Sequence, residues 1–151
     1  MSKGTRRLPQ RCVELLQGAD AVIHAGDFVT EEVLDEIAAL GPPLYAVHGN
    51  VDEPALRHRL PEALEVEIAG AWIALVHDGG ARRGRVERLR RRFPRAGCVV
   101  FGHSHLPEHM RLGSFQTFNP GSPTERRRAP HRAMGMLEVR DGEIAVRHIP
   151  L

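Results

Sequence analysis

Residues 21–50 read AVIHAGDFVTEEVLDEIAALGPPLYAVHGN, and their pattern decides the fold. The run Ala21-Val22-Ile23 is short and apolar and breaks into His24-Ala25-Gly26-Asp27, as a buried strand does on entering a loop. Thr30 then offers an N-cap oxygen, and Glu31 and Glu32 follow where the positive end of a helix dipole favours acids. Val33, Ile37 and Leu40 recur at helical spacing until Gly41-Pro42-Pro43 ends the helix. A second apolar run, 44–47, closes on His48-Gly49-Asn50. Strand, helix and strand in this order predict a right-handed crossover and a parallel strand pair.

On the N-terminal side, residues 8–17 predict a helix with Cys12, Val13 and Leu16 on its apolar side, Pro9 in its first turn and Gly18 as its stop. On the C-terminal side, runs 65–68 and 72–76 around Gly70-Ala71 predict a hairpin that packs Trp72 and ends at His77-Asp78-Gly79-Gly80. Residues 85–93 predict an amphipathic helix with Val86, Leu89 and Phe93 inward, and Arg88, Arg90, Arg91 and Arg92 on a face that reads first as solvated, with an arginine contact to nucleic acid as the lesser alternative. Run 98–101 predicts a strand ending at Gly102-His103-Ser104-His105. Two strands flank Gly113-Ser114, the second ending at Asn119-Pro120-Gly121-Ser122-Pro123. Residues 135–149 predict a hairpin turning at Asp141-Gly142, and the basic stretch 124–132 a mobile loop. The whole, residues 1–151, is expected to be one α/β domain.

Composition narrows the function classes. A hydrophobic fraction of 42% excludes global disorder. No apolar run approaches the roughly 18 residues that span a bilayer, and the polar, basic residues 1–10 are no secretory signal, so no membrane partner is expected. Two cysteines, Cys12 and Cys98, cannot staple a disulfide scaffold and fit small buried residues in a reducing cytoplasm. A net charge of +2 argues against nucleic acid as the general partner.

Nine histidines are the informative excess. Four apolar runs end in groups able to bind a divalent metal: Asp27, Asn50, His77, and His103 with His105. In open α/β sheets, ligand sites collect beyond the carboxyl ends of parallel strands, so strands sharing an edge would bring these side chains together. Imidazole nitrogen with carboxylate oxygen suits Zn, Mn, Fe, Co or Ni. In an extended chain, His103 and His105 would face the same side, about 7 Å apart at their Cα atoms. His24 reads as a hydrogen-bonded core residue and Asp78 as a turn former. His48 reads equally as a rim residue or a phosphate contact. His58, His109, His131 and His148 read as surface residues, and Asn119 as loop-forming or bracing. Arg126, Arg127 and Arg128 are open between a solvated loop and a phosphate gate.

The ordered set Gly26-Asp27, Gly49-Asn50-x-Asp52, His77, Gly102-His103-Ser104-His105 and Asn119-Pro120-Gly121-Ser122-Pro123 resembles the calcineurin-like metallophosphoesterases. More narrowly, it is similar to the small bacterial and archaeal phosphodiesterases of the YfcE type. The resemblance implies a four-layer α/β/β/α sandwich with mixed sheets and a two-metal site at the strand ends. Carried over by position, Asp27 would bridge two ions, Asn50, His77 and His103 would complete one, and His105 would bind the other. Two divalent ions (Mn, Ni, Fe, Co or Zn) in a full-length chain would activate a bridging water for in-line attack on a small phosphodiester. A homo-oligomer is open, since relatives often assemble.

The family opens with a strand ending in Asp-x-His, and residues 1–7 here contain neither. The expectation is therefore an N-terminally shortened domain in which the His105 ion keeps only Asp27 and His105. The alternative is a mononuclear or non-catalytic scaffold of the same fold. Val51 stands where larger relatives carry a histidine that serves the leaving group, which predicts a preference for good leaving groups. His77-Asp78-Gly79 replaces the common His-Gly-His.

Overall fold

The computed structural model describes residues 8–28, 30–49, 52–124 and 129–151. Helix α1 (Gln10–Gln17) leads into β1 (Val22–His24), α2 (Glu31–Ala38), β2 (Leu44–Ala46) and α3 (Pro54–Arg59). There follow β3 (Ala63–Ile68), β4 (Ala71–Val76), α4 (Arg85–Arg92), β5 (Cys98–Val100), β6 (Glu108–Leu112), β7 (Phe115–Asn119), β8 (Ala133–Arg140) and β9 (Glu143–Pro150).

Strands β1 and β2 pair in parallel with His24 opposite Ala46, as the strand–helix–strand reading requires. Between them, Thr30 caps α2, its hydroxyl accepting the Val33 N–H at 3.3 Å. A five-stranded mixed sheet runs in the order β3-β4-β5-β7-β6, and β8 and β9 form a separate antiparallel ladder. Strands β4, β5 and β7 are parallel neighbours, with Leu75, Val100 and Phe118 in one register row. Two of the three two-residue hairpins turn on a pair of left-handed residues, Ala69-Gly70 and Asp141-Gly142, the backbone that matches strand twist.

The cores define the layers. Leu89 of α4 and Phe93, which caps its C-terminus, pack on Ala74, Val76, Val99 and Phe101 on one face of the five-stranded sheet. The opposite face carries Ile73, Leu75, Val100 and Phe118, which meet Ile23 of β1 and Leu137, Val139 and Val146 of the β8–β9 ladder. Beyond β1 and β2 lie Leu34, Ile37 and Leu56 of α2 and α3, and Cys12 of α1 packs with Met134 and Ile149. Helix, sheet, strand layer and helices thus stack in the expected α/β/β/α order with mixed sheets. Each fully buried Leu, Ile or Phe at these seams contributes roughly 1.5–3 kcal/mol of apolar burial.

One helix is not anticipated by the sequence pattern, and one local reading needs correction. Helix α3 escapes the sequence pattern because six residues are too few for apolar periodicity; Pro54 in its first turn and Arg57-His58-Arg59 in its last are its signals. Pro9 caps α1 from an extended conformation rather than entering its first turn.

Candidate functional site

The strand order puts three carboxyl ends side by side. His77 follows β4, Gly102-His103-Ser104-His105 follows β5, and Asn119 ends β7, all on one edge. Asp27 follows β1 and arrives at the same edge. Its Oδ2 lies 3.5 Å from Nε2 of His77 and 3.4 Å from Nε2 of His105. Nδ1 of His103 lies 3.3 Å from Nε2 of His77, the rings meeting edge to face. Four of the five predicted ligands are therefore brought together; Asn50, like Val51 and residues 125–128, lies outside the described residues.

Two loops meet tightly to present Asp27. Gly26 has φ +103°, and a Cβ on it would strike the backbone of His48 and Gly49 at 2.7–2.9 Å. A Cβ on Gly49 would in turn overlap the Asp27 carboxylate and backbone. Glycine at both positions lets the loops after β1 and β2 touch backbone to backbone. Asp52, 5% exposed, locks this junction, its Oδ2 accepting the N–H of Gly49 at 2.5 Å and of Asp27 at 3.1 Å. Asp52 belongs to the Gly49-Asn50-x-Asp52 motif, which by itself implies no bracing task; its side chain reaches back to an N–H three residues earlier and to one on another loop, a pairing that local sequence does not signal.

His77 is oriented from behind. Its Nδ1 lies 2.6 Å from the Ala25 carbonyl, an acceptor only, so Nδ1 carries the proton and donates. In the neutral ring this tautomer leaves the lone pair on Nε2, which faces Asp27 and His103, as a metal ligand needs. His24 is the core residue expected: its Nδ1 accepts the Gly26 N–H at 3.1 Å, and its ring stacks on Phe28 at 3.7 Å. Burial lowers its pKa to about 4, the nearby Asp27 charge opposing and His77 and His105 adding to the effect, so the ring is neutral.

The His103-Ser104-His105 turn is not extended, contrary to expectation. His103 and His105 sit at φ +70° and +59°, and Asp27 at +63°. Left-handed backbone at a non-glycine costs of order 1–3 kcal/mol and persists where surroundings hold it. Asn119, fully buried, supplies that hold: Nδ2 donates to Gly102 O at 3.1 Å and to Ser104 Oγ at 3.2 Å, and Oδ1 accepts the Gly121 N–H at 3.0 Å. His148, read as a surface residue, in fact stacks on Phe118 and donates from Nε2 to Asn119 O at 2.7 Å. His109 bonds Gln116 on the sheet. Asp78 forms its turn by accepting the Gly80 N–H at 2.8 Å.

The donors fit a divalent ion in kind and in pairwise spacing. Around a Zn–N bond of about 2.0–2.1 Å, neighbouring tetrahedral ligands stand ~3.3–3.4 Å apart, close to the separations here. Among the described residues, no three His, Cys, Asp or Glu side chains form a ready-made cage, so the contacts are pairwise. Thiolates play no part: Cys12 and Cys98 are buried and remote, and burial pushes their pKa up to about 11 and about 12.

An α/β/β/α stack with acid and imidazole gathered at its parallel strand ends defines a class of fold and site. Within it, the chain belongs to the calcineurin-like phosphoesterase superfamily, whose domain model matches residues 4–142. It is 30% identical over 141 residues to a probable metallophosphoesterase of Methanothermobacter thermautotrophicus, covering 90% of this chain and 78% of that protein. Two solved structures share the fold. Wild-type Vps29 of Entamoeba histolytica, complexed with Zn²⁺, has TM-score 0.74 at 22% identity, covering 95% of this chain and 90% of that one. An archaeal phosphodiesterase has TM-score 0.73 at 22% identity, covering 94% and 90%. Membership implies divalent metals and phosphate-ester hydrolysis as the family's chemistry. Among the described residues, no helix is long and apolar enough to cross a membrane.

Proposed function

We propose that this chain is a metal-dependent phosphodiesterase whose divalent ions are held by Asp27, His77, His103 and His105, with Asn50 completing the set. The observation that carries the reading is the Asp27 carboxylate within 3.5 Å of two Nε2 atoms, with a third imidazole 3.3 Å beyond. Bound there, a divalent ion supplies Lewis acidity that lowers the pKa of water and offsets charge on the phosphoryl oxygens.

The chain's own residues do the rest. Ala25 O fixes the His77 tautomer, Asp52 fixes the Asp27 backbone, and Asn119 fixes the turn that carries His103 and His105. The side chains of His77, Asp27 and His105 are 8%, 10% and 14% exposed, so the carboxylate works with little competing water. His103 is exposed and marks the open side, where a diester enters.

The test is hydrolysis of an activated aryl phosphodiester by the purified chain with Mn²⁺, Ni²⁺ or Zn²⁺. Turnover that stops on adding a chelator and in Asp27→Ala is the expected result. No turnover with any of these ions, while the ions still bind, would leave the non-catalytic scaffold as the correct reading.

A further inference from the structure

Formal charge is segregated along this near-neutral chain. Residues 8–79 carry three arginines against thirteen acids, while residues 80–151 carry fifteen arginines against six. The densest stretch, 82–95, holds eight arginines and a single acid, Glu87. Charge asymmetry of this kind points to a polyanionic partner that net charge alone hides.

These arginines divide into two sets. Arg85 grips Glu108 through both carboxylate oxygens, at 3.0 and 2.8 Å, and donates to Gly80 O. Arg88, read from sequence as solvated, donates to the carbonyls of Gly79, Ala81 and Arg83. Arg95 lies over Trp72 at 3.8 Å and beside Glu65. These three build the structure. Arg82, Arg83, Arg90, Arg91 and Arg92 are exposed, Arg92 lying over the Phe93 ring at 5.1 Å, and among the described residues none of the five has an acidic partner.

The position of Arg82 and Arg83 relates that pair to the candidate site, while Arg90 and Arg91 lie a helix length further from it, since α4 starts beside the strand ends that carry the site and runs back to the start of β5. The loop that Arg85 and Arg88 fasten begins directly after His77, and Glu108 comes three residues after His105. The Arg85–Glu108 pair thus ties together the two segments that leave the site, and Arg82 and Arg83 stand on the fastened loop. Helix electrostatics accounts for Arg90 and Arg91, which lie toward the C-terminus of α4. It does not account for Arg82 and Arg83, which precede the N-terminus, where the dipole disfavours cations.

We infer that Arg82, Arg83, Arg90 and Arg91 form a basic strip that receives the flanking phosphates of an oligonucleotide. Resting on the phosphodiesterase reading, this strip names the substrate class, because a phosphodiester polymer presents the reacting bond and the flanking charges in one molecule. An anionic membrane surface fits less well, since Leu106 and Met110 are the only exposed large apolar side chains among the described residues.

The experiment is fluorescence anisotropy of a labelled single-stranded oligonucleotide with the full chain in chelator, so that binding is read without turnover. The wild-type chain should bind, with log affinity falling steeply against log salt. Arg82→Glu/Arg83→Glu and Arg90→Glu/Arg91→Glu should each weaken binding about tenfold or more and flatten the slope by ~0.7 for each phosphate no longer neutralised. Arg90→Lys/Arg91→Lys should retain binding, and Arg140→Glu/Arg147→Glu, the same charge change on exposed arginines of the β8–β9 ladder, should leave it intact. Absence of wild-type binding, equal loss in the Arg140/Arg147 pair, or binding to anionic vesicles without binding to the oligonucleotide would each overturn the inference. Failure of aryl-diester turnover is a separate result and bears on the phosphodiesterase reading alone.

Discussion

The buried carboxylate of Asp52 accepts the backbone N–H of Asp27 at 3.1 Å, through the same oxygen that takes the N–H of Gly49. One oxygen therefore pins together the loops that leave β1 and β2. Asp52→Ala leaves two buried donors without that acceptor. The expected cost is about 2–4 kcal/mol of unfolding free energy, taking ~1.5–3 kcal/mol for a hydrogen bond to a charged group as the scale. Metal affinity should fall with it, while Asp52→Asn keeps an oxygen acceptor and loses less. Chemical denaturation of the three proteins checks the order.

Gly49→Ala tests the same junction from the other side. The new Cβ overlaps the Asp27 carboxylate and its backbone nitrogen, neither of which can move without parting the two loops. A loss of about 2 kcal/mol is expected from overpacking. Divalent-ion affinity should fall more than tenfold. Gly113→Ala is a suitable comparison, because a Cβ there meets nothing within 4 Å; it should cost only the strain of φ +62°.

Much of this is legible in the chain. The strand–helix–strand unit follows from the apolar runs on either side of the Thr30 cap and the Gly41 stop, and the strand ends follow from glycine, aspartate and histidine placed just past those runs. The convergence of Asp27, His77, His103 and His105 is legible because parallel strands share one carboxyl edge. What escapes is what local pattern does not encode. Nothing in His103-Ser104-His105 announces left-handed backbone at both histidines; it arises because Asn119, on another strand, bonds Gly102 and Ser104. His148 looks like a surface residue because its partners, Phe118 and Asn119, lie on another strand. Arg88 looks solvated because its partners are carbonyls, which carry no sequence signature.

Asn119 should prove a positioning residue. Asn119→Ala frees the Gly102 carbonyl and Ser104, letting the strained turn relax. Metal affinity should fall about 10–100-fold, the range typical when partners behind a ligand are removed. Asn119→Asp keeps the acceptor for Gly121 but has no donor for Gly102, so it should not rescue. Ser104→Ala should give a smaller loss, since Gly102 stays bonded. Calorimetric metal titration of each variant, beside its thermal melt, separates loss of positioning from loss of fold.

His24 predicts a pH dependence of stability. Its folded pKa of about 4 lies below the ordinary 6.5, because burial disfavours the charged ring. As pH falls, the unfolded chain takes up this proton first. The stabilisation is thus complete above about pH 6.5, is lost progressively between 6.5 and 4, and levels off below. The loss attributable to this ring is ~3 kcal/mol at most. Denaturant titrations in chelator at several pH values should show it, and His24→Gln should be flatter over that interval.

Calorimetric titration of the chelator-stripped chain with Zn²⁺ and Mn²⁺, in wild type and in Asp27→Ala, is the most direct test of the proposed metal site. Stoichiometric binding by the wild type, weakened by about 100-fold or more without Asp27, is the expected result. An Asp27→Ala chain that binds either ion as tightly as the wild type, or a folded wild type that binds neither, would contradict the assignment.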